Sequence, residues 1–484
     1  MVMLDVSLLN GTMTSPRRDT SAFKAYDIRG VVGENIDADL VECVARAAVE
    51  VLGATSAAVG FDARETSSDY AQAAARGCMN AGASVLGLGL CGTEEVYHAV
   101  GSNGLGLGIM ITASHNPIDH NGLKLVGPNA RPLTENEFAA IRKRAASTPV
   151  SAGKSSPPAN PDGKAIQPEL DLRQAYVQSA IDVAGVTSEA TLRRTTRILF
   201  NCGNGAAGPT LKAILSELAV RGVQIDAHVV HGLPDPTFPN GIPNPLLPKN
   251  HAATASEVVR LGADFGVAFD GDFDRCFFFD GAGTFVGGEY VVALLAEANL
   301  RREAGCTIVH DPRIVYAARD KIRASGGVAI QSRTGHALMK AKMREVGAAY
   351  GGEMSAHHYF RDFFYCDSGM IPWMAIITLL AAEEKTLSEC VAALRAAYPS
   401  SGEINFQIEN KWDALERLRA AYVPHAAEVD EGDGLSCDMG AWRFNVRASN
   451  TEDLLRLNVE ARSQAVSLGD CVAQLSKIIE GTKA

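Results

Sequence analysis

A chain of 484 residues is expected to divide into three or four domains of about 150 residues each, and not to form one compact unit. With 45 Lys and Arg against 56 Asp and Glu the formal charge is −11, which argues against nucleic acid as a partner, because such binding needs a basic face. An acidic chain can still bind an anion by gathering its cations into one cleft.

Residues 1–22 open with a weak apolar run broken by Asp5 and followed by Arg17 and Arg18, the reverse of a secretory signal, and predict a flexible tail. Short apolar runs at 57–60, 84–87 and 107–111 then predict strands, with helices at 39–52 and 68–81 between them. This is the alternation of an α/β domain, expected over 23–165. Its end is marked by 147–168, rich in Ser, Pro, Ala and Gly and without apolar periodicity. A second α/β unit, 166–285, carries strands at 197–200, 225–230 and 265–269 and a helix at 210–220. A third, 286–397, carries helices at 290–302, 315–324 and 337–346 and strands at 307–310 and 328–330. The nearly apolar run 370–382 contains Pro372 and falls short of the ~20 residues of a membrane span, so no membrane partner is expected. Residues 398–484, with strands at 404–408 and 442–446 flanked by helices, predict a smaller domain. The fold class is therefore α/β: three similar mixed α/β domains plus a smaller C-terminal α+β domain. Ten scattered cysteines without a C-x-x-C pair predict reduced thiols and a cytoplasmic protein.

Four segments gather residues able to do chemistry. In GIMITASHNPIDHNGLK, residues 108–124, a buried strand ends near Ile111 and the chain turns outward, since Asn-Pro favours turn initiation. Ligands of α/β sheets gather at the carboxyl ends of strands, which puts Ser114 where a nucleophile stands. A Ser/Asn turn satisfied by its own backbone is the plain alternative, and a serine hydrolase is disfavoured because neither glycine of the G-x-S-x-G elbow is present. Asp270, Asp272 and Asp274 alternate in an extended loop and project to one side, where like charges conflict unless a hard cation is present. Three carboxylate ligands leave octahedral Mg²⁺ room for water and a phosphate oxygen. The alternative, a solvated acidic turn, is opposed by the apolar strand before it and by Arg275 beside it. Glu353, Ser355 and His357, with Thr334-Gly335-His336 upstream, offer partners for sugar hydroxyls, though a satisfied turn reads equally well. Arg447, Ser449, Asn450 and Thr451 supply the elements of a phosphate cradle, or an N-cap at Asn450 or Thr451. Residues 203–208 match G-x-G-x-x-G, but the next strand ends Val229-Val230-His231 without the acid that would hold a ribose, so a structural turn is preferred.

Taken together these segments resemble the α-D-phosphohexomutases from about residue 23 to the C-terminus. The ordered set is Ala25-Tyr26-Asp27-Ile28-Arg29-Gly30, the Ser114 segment with Asn121-Gly122-Leu123-Lys124, the Asp270 to Arg275 segment, Gly352 to His357, and Arg447 to Thr451. The Met and His of Gly-Glu-Met-Ser-Ala-His are similar to the phosphomannomutase/phosphoglucomutase branch. The resemblance implies four domains around a central cleft, one motif from each. It implies that Ser114 is a phosphoserine whose phosphate joins Asp270, Asp272 and Asp274 in holding Mg²⁺, with Lys124 and Arg29 near the transferring group. Tyr26, His115, Arg275, Arg313, His336, Glu353 and Ser355 would contact substrate, and Arg447, Ser449, Asn450 and Thr451 the distal phosphate. Arg313 stands where a substrate-contacting Lys is expected, and a planar fork is not equivalent to an ammonium.

The implied reaction interconverts mannose 6-phosphate and mannose 1-phosphate through a hexose 1,6-bisphosphate, also the activator, and supplies GDP-mannose synthesis; glucose phosphates are the alternative substrates. Small hexose phosphates are then the partners. The hydroxyl proton is expected to go to Lys124 or His357, the lysine with its pKa lowered by neighbouring cations. An aspartyl-phosphate phosphatase using Asp270 and Asp272 would leave Ser114 and Arg447 unused. A catalytically silent sugar-phosphate binder would not need every reactive position. Arg29, Lys124, Arg275, Arg313 and Arg447 are expected to face one cleft, leaving the −11 to the outer surface.

Overall fold

Three five-stranded sheets repeat one strand arrangement in the computed structural model, which describes residues 18–147, 170–188, 195–448 and 454–481. Three parallel strands are followed by two antiparallel ones. In the first sheet Ser84–Leu90, Ser56–Phe61 and Leu107–Ile111 are parallel, and His120–Val126 and Ile28–Val31 complete the edge. In the second, Ile225–Val230, Thr196–Asn201 and Phe265–Phe269 precede Cys276–Asp280 and Phe285–Val286. In the third, Val328–Gln331, Thr307–His310 and Tyr350–Gly352 precede His358–Phe360 and Cys366–Asp367. The fourth sheet is antiparallel throughout, with helices Lys411–Tyr422 and Leu468–Glu480 sharing its apolar core. The architecture is the expected one of three similar α/β domains and a C-terminal α+β domain.

This repetition positions the site. In each of the first three sheets the third parallel strand is buried from end to end, as Leu107–Ile111, Phe265–Phe269 and Tyr350–Gly352. Strands covered on both faces read as continuous apolar runs, which is why two of these three were predicted. Each turns straight back into an antiparallel neighbour, and the connecting loop leaves the carboxyl end of the buried strand. Those loops carry Ser114, the three aspartates and Glu353. Each also holds one non-glycine residue in the left-handed region: Ser114 at φ 47°, Phe273 at φ 45° and Ala356 at φ 68°. Such conformations cost about 1–3 kcal/mol each and persist because the packing around them allows no other.

One apolar cluster runs through the first three domains, with Phe200 and Trp373 edge to face at 4.9 Å. The apolar run near 370–382 is the interior helix Met370–Glu383, with Pro372 in its first turn, where a missing N–H has no helical partner to lose. No helix among the described residues is long and apolar enough to cross a membrane. All ten cysteines are buried free thiols. Residues 1–17 of the expected tail and 148–168 of the expected linker lie outside the described residues. The end of that tail packs against the first domain: Ala22 is buried and its carbonyl accepts from Arg29 N at 2.8 Å.

The third and fourth domains meet through buried charge. Glu460 accepts from Arg443 Nη1 at 2.7 Å and from the Val315 backbone N–H at 3.0 Å. Glu289, in the first turn of helix Gly288–Arg302, is buried near Glu460, and burial followed by that negative charge raises its carboxyl from 4.5 to about 7. The unfolded chain therefore releases this proton at lower pH than the folded one. Stability is full below the unfolded value and falls as pH rises through the folded value, by up to about 3 kcal/mol. Thermal melts of Glu289→Gln should exceed those of the wild type by more at pH 8 than at pH 5; an equal difference at both would remove Glu289 as the titrating group.

Candidate active site

The Ser114 loop is shaped by an arginine that sequence reasoning did not single out. Arg64 is buried, and its Nη2 donates to the carbonyls of Ser114 at 2.9 Å and Asn116 at 2.6 Å. Its Nη1 serves Pro117 at 2.8 Å and His120 at 2.9 Å. Asp62 lies 3.7 Å from Arg64 and accepts from Thr112 Oγ1 at 2.7 Å, while that hydroxyl accepts from Ser114 N at 2.8 Å. Only a rigid fork with several donors can hold so many carbonyls, and a lysine cannot. Arg64→Lys and Arg64→Ala should each lower kcat/KM about a hundredfold by displacing the loop. A lysine variant with wild-type kcat/KM would refute that role.

Ser114 Oγ donates to Asp270 Oδ2 at 2.7 Å and lies 3.1 Å from His115 Nδ1. Arg275 donates from Nη2 to that same ring nitrogen and from Nε to Asp270 Oδ2 at 2.9 Å. Burial, then the charges of Arg275 and Arg29, push His115 well below the usual histidine range, so its ring is neutral. Arg29 reaches the same loop, donating from Nη1 to Asn116 Oδ1 at 2.5 Å, and pairs with Asp27 at 2.8 Å.

Asp270, Asp272 and Asp274 are buried, with ligand atoms within 4.8 Å of one another. Lys124 Nζ lies 2.6 Å from Asp272 Oδ2 and 2.5 Å from Asp274 Oδ2. Burial disfavours the ammonium, but the two aspartates outweigh it and raise the lysine pKa. The expectation of a lowered Lys124 pKa is thereby corrected: its nearest neighbours are anions. Burial and then the Asp272 charge lift Asp274 to about 6. Asp272 Oδ1 and Asp274 Oδ1 are buried without a hydrogen-bond partner. Orphaned carboxylate oxygens in an all-oxygen donor set fit a hard divalent cation such as Mg²⁺.

On the third domain, Glu353 Oε2 accepts from Ser355 Oγ at 3.0 Å, and Oε1 accepts from Tyr359 OH at 3.2 Å and Gly335 N at 3.2 Å. The Gly335 bond draws the Thr334-Gly335-His336 segment to the loop. His336 stands edge-on to Tyr26 at 5.9 Å, a contact between the first and third domains. Arg313 is engaged by protein: its Nε and Nη2 donate to Asp311 Oδ2, and it stands 3.8 Å from Glu353 and 3.6 Å from Glu403. His357 Nδ1 pairs with Asp367 Oδ2 at 2.8 Å. On the fourth domain Arg447 faces Arg456 across the hairpin, and burial, followed by the Arg313 charge, lowers its pKa. Like charges directly opposite each other favour an anion beside them. Ser449, Asn450 and Thr451 lie outside the described residues.

Signatures of the phosphoglucomutase/phosphomannomutase α/β/α domains I, II and III match residues 20–150, 174–283 and 287–398, and that of the C-terminal domain matches 403–477. The chain belongs to the phosphoglucomutase/phosphomannomutase family. It is 45% identical over 442 residues to a phosphomannomutase of Salmonella typhimurium, covering 91% of this chain and 95% of the relative. It is 42% identical over 461 residues to phosphohexose mutases of Xanthomonas campestris, covering 95% and 99%. A family protein from Burkholderia thailandensis superposes with a TM-score of 0.80 at 28% identity, covering 96% of this chain and 99% of that one. The family is one of mutases, and the chain is accordingly an enzyme.

Within this family member a second feature escaped the sequence reading, the first turn of helix Thr93–Asn103. Thr93 Oγ1 donates to Asp272 at 2.6 Å, and Glu95 pairs with Arg173 at 2.8 Å. Glu94 accepts from Ser368 Oγ and from the Gly369 and Met370 N–H groups, both at 3.2 Å. The only local signal is Gly-Thr-Glu-Glu after a strand, an acidic helix start. The G-x-G-x-x-G segment serves as a turn that supports the aspartate loop, since Ala206 N donates to the Gly271 carbonyl at 3.0 Å. Gly271 itself packs on Ser114, whose carbonyl oxygen would lie 2.6 Å from an added Cβ.

Proposed function

We propose that this mutase interconverts mannose 6-phosphate and mannose 1-phosphate through a phosphorylated Ser114 and a hexose 1,6-bisphosphate. The observation that carries the reading is the Ser114 hydroxyl, 2.7 Å from Asp270 in a buried cluster that also receives Lys124 and Arg275. Phospho-Ser114 gives its phosphoryl group to the free sugar hydroxyl: the sugar O–P bond forms, the Ser114 Oγ–P bond breaks, and the hydroxyl proton leaves to a base. The bisphosphate then turns over in the cleft and returns its other phosphoryl group to Ser114. Asp270, Asp272 and Asp274 would hold Mg²⁺, which neutralises charge on the phosphoryl group. Arg29, Arg275 and Lys124 add cations around it, so positioning and electrostatics supply most of the catalysis. Glu353 and Ser355 orient the sugar, and Arg447 holds the distal phosphate. Of the two candidate bases, Lys124 is engaged by Asp272 and Asp274, and His357, backed by Asp367, takes the proton. The product suits GDP-mannose synthesis in the cytoplasm.

Phosphohexose mutase relatives at 42% identity support the second reading, activity on glucose phosphates as well. Phosphorus NMR of purified protein with Mg²⁺ and a trace of bisphosphate primer should show mannose 1-phosphate converting to the 6-phosphate, with kcat/KM above that for glucose 1-phosphate. Chelation should abolish turnover, and added Mg²⁺ should restore it. The phosphoenzyme should survive hydroxylamine; a hydroxylamine-labile phosphate would mark an aspartyl phosphate and reject the proposal.

A further inference from the structure

The chemistry above leaves one buried ion pair beside the site without a task. Lys340, on helix His336–Val346, is 2% exposed. Its Nζ lies 2.7 Å from Asp367 Oδ1, donates to Tyr97 OH at 2.9 Å, and sits 4.0 Å from the centroid of the Tyr97 ring. Asp367 is 1% exposed, and its other oxygen, Oδ2, meets His357 Nδ1 at 2.8 Å. One carboxylate is thus divided between an ammonium and an imidazole. A buried ion pair is a poor way to gain stability, because desolvation offsets most of the attraction and an apolar pair fills the space as well. Its effect is better sought in the imidazole.

An ionised carboxylate can only accept, so the His357 nitrogen facing Asp367 must carry the proton. In the neutral ring that leaves Nε2 with a free lone pair, the arrangement that a proton-accepting histidine needs, although, against the effect of burial, Asp367 and Asp274 raise the ring's pKa above the usual histidine value. Lys340 keeps Asp367 ionised in a buried place where burial alone favours the neutral acid. The ring is further confined by near-parallel packing on Tyr359, at 6.1 Å and 23°. Tyr97 lies on the helix whose first turn contacts Asp272 through Thr93, so the His357 orientation is tied to both sides of the cleft.

We propose that Asp367 is a positioning residue for the mutase reaction, holding the His357 proton on Nδ1 and leaving Nε2 free, and that Lys340 fixes Asp367 in this orientation. The proposal rests on reading His357 as the proton acceptor of a hexose phosphate mutase.

Asp367→Asn tests it sharply. With Lys340 present the amide oxygen must face the ammonium, so the amide NH₂ faces His357 and donates to Nδ1, and the ring proton moves to Nε2. kcat should then fall at least about tenfold, with KM for mannose 1-phosphate within about twofold of wild type. Adding Lys340→Met removes the ammonium and lets the amide turn its oxygen to His357; part of the lost kcat should return. Nitrogen-15 spectra of histidine-labelled full-length protein, recorded at alkaline pH where the ring is neutral, should show the Nδ1–H form in wild type and the Nε2–H form in Asp367→Asn. They should show Nδ1–H again in the double variant. An unchanged tautomer in Asp367→Asn would overturn the proposal, as would a double variant with Nδ1–H restored and kcat no higher than the single variant. Should wild-type protein fail to convert any hexose phosphate, the functional reading fails, while the tautomer shift still reports on Asp367.

Discussion

Ser114→Ala is expected to reduce mutase turnover by at least about four orders of magnitude, because the substitution removes the atom that accepts and returns the phosphoryl group. The fold should survive. Ser114 is one of two hydrogen-bonding partners of Asp270 Oδ2, and Arg275 Nε remains on that oxygen at 2.9 Å. The loop is held by its carbonyls on Arg64, which alanine keeps. Binding of mannose 1-phosphate by calorimetry should therefore persist while incorporation of phosphate into the protein disappears. Turnover within tenfold of wild type would remove Ser114 from the transfer step.

The largest expected loss of stability is at Glu94. This buried side chain from the first domain caps helix Met370–Glu383 of the third, accepting from Ser368 Oγ and from two backbone N–H groups at 3.2 Å each. Glu94→Ala removes the acceptor of Ser368 Oγ and of the Gly369 N–H, while the Met370 N–H keeps Ser368 Oγ at 3.1 Å, and it opens a void, a loss of about 3 kcal/mol or more in urea unfolding. Glu94→Gln keeps an acceptor oxygen and should lose less. Burial raises the Glu94 carboxyl well above its ordinary value, so the folded state holds this proton at a pH where the unfolded chain has released it. Stability from this site therefore falls as pH rises, and the gap between Glu94→Gln and wild type should narrow in the same direction. An alanine variant as stable as wild type would show that the two domains do not depend on this cap.

What the sequence made legible follows from how local each signal is. The strands at 107–111 and 265–269 are buried on both faces and stand out as apolar runs. Their antiparallel partners do not: His358–Phe360 and Cys366–Asp367 are three and two residues long, too short for a period-two pattern. Helix Met370–Glu383 is buried on every side from Met370 to Ile377, only its last turn reaching the surface, and shows no amphipathic stripe. At the site, Ser114, Asp270, Asp272, Asp274 and Glu353 could be read because each loop places its reactive groups within a few residues. Arg64, Glu94 and Lys340 could not, since each acts on partners distant in the chain, as Glu94 does on Ser368 at a separation of 274 residues, and Asp367 could not because it meets His357, 10 residues before it, only through the pairing of two very short strands. The Lys124 pKa went wrong for the same reason: Asp272 and Asp274 reach it from another domain.

The left-handed backbone at Ser114 bears on which amino acid can occupy that place. At φ 47° a β-branched side chain crowds its own backbone, whereas an unbranched one is tolerated. Threonine offers the same hydroxyl chemistry but carries a methyl group on the crowded carbon. The turn that presents the hydroxyl to Asp270 thus selects serine over threonine on steric grounds, before any question of nucleophilicity arises.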